Sequence, residues 1–175
     1  MTVPALVGGV LPLGRWACTP SEVEHAFVQG SGGDRIDIWN EWRQVTEALR
    51  QAVGAVAAVW MSGSFISDKR NPADIDCLYV VDTARLDTAR PDPRARALID
   101  VIGTSRVKSQ YGLRVDSYIL EWTPYSGSTP PVGADNYLKF RGYWDDFWVR
   151  SRDTDPRLGS IPRRGYLEVI LDGYH

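Results

Sequence analysis

Residues 55–81 read AVAAVWMSGSFISDKRNPADIDCLYVV, and this stretch decides the fold class. An apolar run at 55–61 ends in Ser62-Gly63-Ser64, a polar segment follows, and a second apolar run occupies 75–81. Continuous apolar runs of this length, bounded by turn residues, are typical of buried strands. Because Asn71-Pro72 lies within the polar segment, the stretch predicts two central strands joined by a loop.

Helix and strand patterns continue on both sides of this stretch. Upstream, a capping-box sequence at 19–22 starts a short helix, and apolar residues recur at helical spacing over 37–53. Downstream, the patterns predict a helix over 92–102, a strand over 113–120, a loop over 124–133, a helix over 135–149 and a last strand over 166–171. This mixture predicts a single α/β (α+β) domain over 1–175, with a mixed sheet flanked by helices.

Three aspartates are the candidate metal ligands. Asp74 and Asp76 are separated by one residue at the start of the second strand, so their side chains point to one face of the sheet. Two carboxylates so close repel each other unless a cation lies between them, and magnesium prefers such hard oxygen ligands. Asp116 interrupts the apolar strand 113–120, where a buried charge is costly unless it is paired or metal-bound.

These acids predict a magnesium site if a neighbouring strand places Asp116 beside Asp74 and Asp76. Three carboxylates can hold two Mg²⁺ ions about 4 Å apart, an arrangement suited to phosphoryl transfer, and Mn²⁺ is an alternative metal. A structural ion pair of Asp116 with Arg114, or with a distant arginine, is the competing interpretation.

The turn before the loop is a candidate phosphate site. Gly63 has no Cβ, so its backbone N–H can approach a triphosphate closely, and the Ser64 hydroxyl adds a donor. Lys69 and Arg70 follow in the loop and are candidates to neutralise phosphate charge; alternatively, they are solvated loop charges. Gly63, Ser64, Lys69 and Arg70 are thus the predicted nucleotide-binding residues.

A family resemblance joins these features. The sequence GSFISDKRNPADID at 63–76, followed by LRVDSYIL at 113–120, resembles the signature of the nucleotidyltransferase superfamily of the DNA polymerase β type. The chain is similar to small uncharacterised bacterial and phage members of that superfamily. The resemblance implies a nucleotidyltransferase-type mixed sheet with its catalytic core at 55–120, to which 134–175 adds an aromatic and arginine-rich extension.

The resemblance also implies roles for the five motif residues. Gly63 and Ser64 would bind the phosphates of a nucleoside triphosphate, Asp74 and Asp76 would bind metal, and Asp116 would bind metal and assist deprotonation of the acceptor. Minimal nucleotidyltransferases of toxin–antitoxin pairs often carry Arg-Gly soon after Gly-Ser-Phe, whereas this chain has Ile66-Ser67-Asp68 there. The acceptor therefore stays open between an RNA such as a tRNA end, a protein hydroxyl and a small molecule.

Composition limits the other classes of function. The net charge is only -2, so no global field draws the chain onto nucleic acid or anionic lipid. Two cysteines and two histidines give neither a zinc spacing nor a disulfide framework, which favours a cytoplasmic location. Prolines and glycines break the apolar segment 1–13, so we expect neither a signal peptide nor a membrane span.

The C-terminal extension permits two interpretations. Its aromatic stripe predicts core packing rather than a base-stacking platform. Its arginines between 150 and 164 are solvated by default and alternatively contact an RNA backbone or a nucleotide. The stripe consists of Tyr137, Phe140, Trp144, Phe147 and Trp148.

Three functions compete on this sequence. The first is a nucleotidyltransferase that uses a nucleoside triphosphate. The second is a non-catalytic module that binds a partner in a toxin–antitoxin or phage-defence pair, because little chain remains for a separate substrate domain. The third is a magnesium-dependent nuclease, which the Gly-Ser turn disfavours because a nuclease has no triphosphate to hold.

Overall fold

The computed structural model describes residues 2–131 and 134–175. Within them, five strands form one mixed sheet in the order β1-β5-β2-β3-β4. Strand β2 is antiparallel to β5 and β3, whereas β1 is parallel to β5 and β3 is parallel to β4. The predicted α/β (α+β) class with a mixed sheet is confirmed. The strands are β1 (Arg15–Cys18), β2 (Ala58–Ser62), β3 (Ile75–Asp82), β4 (Val115–Trp122) and β5 (Tyr166–Ile170).

The predicted long helix is confirmed as the main cover of one sheet face. It begins at Gly33, ends at Val53 and buries its apolar stripe. Gly54 stops it with a φ of 83° while its N–H donates to the carbonyl of Arg50 at 2.7 Å. The helices are α1 (Pro20–Val23), a π-helical turn (Glu24–Val28), α2 (Gly33–Val53), α3 (Thr83–Ala89), α4 (Pro93–Gly103), α5 (Val107–Tyr111), α6 (Ala134–Trp148) and α7 (Pro156–Gly159).

Each face of the sheet has its own hydrophobic cluster, as the period of two along a strand requires. Val59 and Tyr79 pack on the side of α2, in the larger cluster. Trp60 and Leu78 pack on the opposite side, in a smaller cluster with Trp148 of α6. Strands β2 and β3 are apolar on both faces because helices cover both.

Several elements have no clear signal in the sequence. Strand β1 has only four residues and pairs with β5, which is almost the whole chain away. The short helices α3, α5 and α7 are also unpredicted. The predicted loop 124–133 has neither helix nor strand as far as Pro131, and Val132 and Gly133 lie outside the described residues.

The expectation that the aromatic stripe is core is wrong for part of α6. Tyr137 and Trp148 are buried, whereas Phe140 is 51% exposed and Phe147 is 47% exposed. Tyr143, on the same outer side, is 55% exposed. The sheet has room for only one side of α6, so the helix turns its other aromatic residues outward. None of the helices in the described parts of the chain has the length and apolar character needed to cross a membrane.

Candidate functional site

Three polar side chains lie in a row across three neighbouring strands. Asp76 of β3 is paired in register with Ser62 of β2 on one side and with Asp116 of β4 on the other. Residues that face each other across a sheet point to the same side, so the row lies on the α6 face. The structure thus brings together two of the three predicted acids, which are 40 positions apart in the sequence.

Gly63 lies directly against the Asp76 carboxylate. It follows β2 with a φ of 79°, a conformation that favours glycine. A Cβ at this position would lie 2.7 Å from Cγ of Asp76, far inside van der Waals contact. The absence of a side chain at 63 therefore leaves the space that the carboxylate occupies.

Asp76 is the most electrostatically perturbed acid of the row. Burial raises its pKa, and the negative charges of Asp74 and Asp116 raise it further, to about 6. The positive charges of Arg164 and Arg152 oppose this shift. Asp76 therefore lies where additional positive charge would be stabilising.

Ser105 holds the Asp116 carboxylate from outside the sheet. Its hydroxyl donates to Oδ1 of Asp116, and its N–H donates to the carbonyl of Ser117 at 2.9 Å. Ser105 has a φ of 56°, which is costly for a residue with a side chain. Burial raises the pKa of the Tyr118 phenol, and Asp116 and Asp76 raise it further while a hydrogen bond with Ser105 lowers it. Tyr118 is thus electrostatically coupled to the acid pair.

Asp74, the third predicted acid, has a different partner. Its Oδ2 lies 3.4 Å from Nζ of Lys108 on α5, and its side chain is 28% exposed. In the parts of the chain that the structure describes, no three His, Cys, Asp or Glu side chains are arranged to hold one metal ion together. Asp76 and Asp116 fit magnesium as neighbouring oxygen donors, and Asp74, whose charge also acts on Asp76, is paired with Lys108.

The competing ion pair of Asp116 with Arg114 does not form. The Arg114 guanidinium donates to Glu41 of α2 instead, at 3.0 Å from Nε and 2.7 Å from Nη2. Asp34 and Asp37 of α2 add negative charge near the same guanidinium. Arg114 therefore anchors the start of β4 to α2 and leaves Asp116 facing Asp76.

Arg164 lies at the Ser62 end of the row. Its Nη2 donates to the Ser62 hydroxyl at 2.8 Å, and its Nε lies 3.4 Å from the carbonyl oxygen of Trp148. Burial lowers the pKa of Arg164, and the Asp76 carboxylate raises it in part. The sequence indicated only a loose arginine cluster here. In the structure, Arg164 and the exposed Arg152 are the members of that cluster whose positive charges lower the pKa of Asp76.

The loop after Gly63 is organised by a residue with no sequence signal. The buried Arg35 of α2 donates to the carbonyl oxygens of Phe65, of Ser67 at 2.9 Å and of Lys69 at 2.6 Å. The Ser67 hydroxyl donates to the carbonyl of Ser64 at 2.7 Å. Three backbone acceptors on one guanidinium fix the path of the chain between the Gly-Ser turn and β3.

Lys69 and Arg70 lie in the loop between β2 and β3. Both are exposed and line a cleft with residues 3–6 and with residues 29–32 between the π-helical turn and α2. Neither Asp74, Asp76 nor Asp116 lines that cleft. Their predicted role in phosphate binding stays a prediction, whereas Gly63 and the half-buried Ser64 adjoin the acid row.

Comparison with known proteins places the chain in a family. The model of the family of unknown function DUF6932 matches residues 5–170, so the chain belongs to this family. No curated protein and no solved structure matches the chain significantly. The family description gives no activity, and the function must therefore be inferred from the site.

Proposed function

We propose that the chain is a magnesium-dependent nucleotidyltransferase. It would move a nucleoside monophosphate from a nucleoside triphosphate to an RNA, protein or small-molecule acceptor. The observation that carries the proposal is the pairing of Asp76 with Asp116 on one face of the sheet, with Gly63 against the Asp76 carboxylate. The resemblance of the Gly-Ser turn and the three acids to that superfamily supports it.

The site residues divide into two groups under this proposal. Asp76 and Asp116, joined by Asp74, would hold magnesium, which when bound neutralises phosphate charge and lowers the pKa of a bound hydroxyl. The N–H groups of Gly63 and Ser64 would donate to phosphate oxygens. Arg164 adds positive charge at the Ser62 end of the row, next to this turn, where it opposes the charge of Asp76.

Asp116 would act as the base for the acceptor. Its Oδ1 accepts a hydrogen bond from Ser105, so Oδ2 is the oxygen that would take the proton of the acceptor hydroxyl. The acceptor oxygen would form a bond to the α-phosphorus as the bond to the bridging oxygen of pyrophosphate breaks. Pyrophosphate would leave with the electron pair of that bond.

A labelling experiment tests the proposal. The chain is incubated with magnesium, a cell extract and each common nucleoside triphosphate radiolabelled at the α-phosphate, and labelled macromolecules and released pyrophosphate are measured. Asp76→Asn and Asp116→Asn should abolish both signals, while Asp87→Asn on the exposed side of α3 should keep them. Transfer at the wild-type rate in either site variant would refute the assignment, as would hydrolysis with no labelled product.

One observation favours the second candidate, a non-catalytic module that binds a partner in a toxin–antitoxin or phage-defence pair. Asp74 pairs with Lys108, and in the described parts of the chain no three acids are arranged to hold one metal ion together. Under this alternative, a partner would co-purify with the chain whether or not a chelator is present. Magnesium-dependent pyrophosphate release would exclude the alternative as the sole function.

A further inference from the structure

A concave cleft runs along the outer strand of the sheet, close to the acid row. It lies between β4 and α6 and has a volume of about 440 Å³. This volume falls within the range of small-molecule sites, roughly 300–1,000 Å³. Five of its twelve lining residues are aromatic, and Asn136 and Glu121 are among its polar groups. The aromatic residues are Tyr118 on β4 and Tyr137, Phe140, Tyr143 and Trp144 on α6.

The aromatic rings of this cleft differ in exposure, because Tyr118 and Trp144 are half-buried against the smaller core cluster while Phe140 and Tyr143 are exposed. Phe140 and Tyr143 are each about half exposed, as described above. Tyr118 and Trp144 pack with their ring centres 4.6 Å apart, and the Tyr143 ring meets the Trp144 ring edge-on at 5.3 Å. Exposed aromatic surface inside a concavity is typical of sites for flat, apolar ligands.

The cleft and the acid row share one strand face. Tyr118 lies two residues after Asp116, on the same side of β4, which corresponds to about 6–7 Å along the strand. This is the scale of the ribose that separates a nucleobase from its α-phosphate. The positive charge of Arg164 lies at the far end of the row, where the phosphates of the same molecule would need it.

We propose that this cleft binds the nucleobase of the nucleoside triphosphate. The base stacks on the ring of Tyr143 and meets the Trp144 ring edge-on, and the Asn136 amide, which both donates and accepts hydrogen bonds, contacts its edge. The proposal rests on the proposed function for the identity of the ligand. It assigns the exposed side of α6 near β4 a role in substrate binding.

Equilibrium binding of three probes to the full chain tests this assignment. The probes are each common nucleoside triphosphate, the corresponding phosphate-free nucleoside, and inorganic tripolyphosphate. Tyr143→Ala should weaken triphosphate and nucleoside binding about tenfold, because stacking on one aromatic ring has that order of effect. It should leave tripolyphosphate binding unchanged, and Tyr143→Phe should bind like the wild type.

Leu138→Ala is the control. Leu138 is 38% exposed on the same helix, but it does not line the cleft. Phe147 is unsuitable because its ring packs on those of Tyr143 and Trp144. Leu138→Ala should therefore bind all three probes like the wild type. Equal losses in both alanine variants would overturn the proposal, because the exposed side of α6 would then act as a whole, as a protein interface would. Unchanged nucleoside binding in Tyr143→Ala would also overturn it.

The nucleoside arm separates this inference from the transferase proposal. A nucleoside has no phosphate, so its binding is measured with a chelator present and needs neither metal nor catalysis. Tyr143-dependent nucleoside binding without any nucleotidyl transfer would support the cleft and refute the enzyme. Transfer activity with nucleoside binding that is independent of Tyr143 would refute the cleft and support the enzyme.

Discussion

The backbone of Gly63 packs directly against the Asp76 carboxylate and leaves no space for a side chain at position 63. A Cβ at 63 would lie 2.7 Å from Cγ of Asp76, and the φ of 79° at 63 also disfavours any other residue. The turn of β2 and the first acid of β3 therefore depend on each other. A substitution at 63 has to displace the acid, the turn or both.

Gly63→Ala should consequently lower the free energy of unfolding by about 1–3 kcal/mol, through left-handed strain and the clash. Any transferase activity should be lost with it. Gly142→Ala is the control, since a Cβ on this exposed helical glycine of α6 meets no atom within 4 Å. That variant should be more stable than the wild type by roughly 0.5–1 kcal/mol in urea denaturation. Equal stability of Gly63→Ala and the wild type would contradict the fit described here.

The acid pair should weaken the metal-free fold. Asp76 is half-buried, and its pKa is raised first by that burial and then by repulsion from the Asp74 and Asp116 carboxylates. In a chelator at neutral pH, we therefore expect the free energy of unfolding of Asp76→Asn, measured by urea denaturation, to exceed that of the wild type by about 1–3 kcal/mol. Added magnesium should raise the stability of the wild type and leave Asp76→Asn unchanged, because only the wild type has the full set of oxygen donors.

Asp87→Asn, which removes an exposed carboxylate from α3, should respond to magnesium like the wild type. If Asp76→Asn were less stable than the wild type in the chelator, repulsion among the carboxylates would not be the main effect of Asp76 on stability. In that case the attraction of the carboxylate to Arg164 and Arg152 would be the larger contribution.

Local sequence patterns predict those elements of this protein whose burial is visible in their own sequence. The apolar runs that become β2 and β3 are recognisable because both faces of a central strand are covered. Asp116 is recognisable because it is a charge within an apolar strand. The sequence pattern suggests that Asp116 lies near Asp76, but the strand register that pairs the two residues is seen only in the structure.

The rest of the site depends on contacts between distant segments. Arg164 meets Ser62 across 102 positions, and Arg35 meets the loop from 30 or more positions away. Each looks like an ordinary charged residue in its own sequence neighbourhood. The left-handed conformation of Ser105 is equally hidden, because it is imposed by β4 rather than by a glycine. Lys69 and Arg70 are close in sequence to the Gly-Ser turn, and they line a cleft that none of the three acids lines.

Arg164, rather than Lys69 or Arg70, should be the principal phosphate contact. Its guanidinium lies against the acid row and can hold a phosphate through two nitrogens, which an ammonium cannot. Arg164→Lys should therefore weaken tripolyphosphate binding about tenfold at low salt. Lys69→Ala and Arg70→Ala should change it less than twofold, which is about the error of such a titration. A larger loss in either loop variant than in Arg164→Lys would restore the loop cations as the phosphate site.

Glu41 should stabilise the protein at neutral pH and lose its effect in acid. It accepts hydrogen bonds from the backbone N–H of Arg114 at 2.5 Å and from the guanidinium, which anchors the start of β4 to α2. Burial raises the pKa of Glu41, but the hydrogen bonds and charge of Arg114 outweigh burial and lower the pKa overall. A carboxyl with a depressed folded pKa stabilises the fold above its unfolded pKa and loses that contribution as the pH falls through the folded value.

Glu41→Gln should therefore lower the free energy of unfolding by about 1–3 kcal/mol near neutral pH. The gap between variant and wild type should narrow as the pH falls below the unfolded pKa of about 4.3, and it should close only below the depressed folded pKa, where the carboxyl is protonated in both states. Asp34 and Asp37 face the same guanidinium and stay in place in both proteins, so they do not account for the gap. Glu47→Gln, an exposed site on the same helix, is the control and should show almost no gap at either pH. A gap for Glu41→Gln that persists undiminished in acid would mean that packing, and not the charged pair, joins β4 to α2.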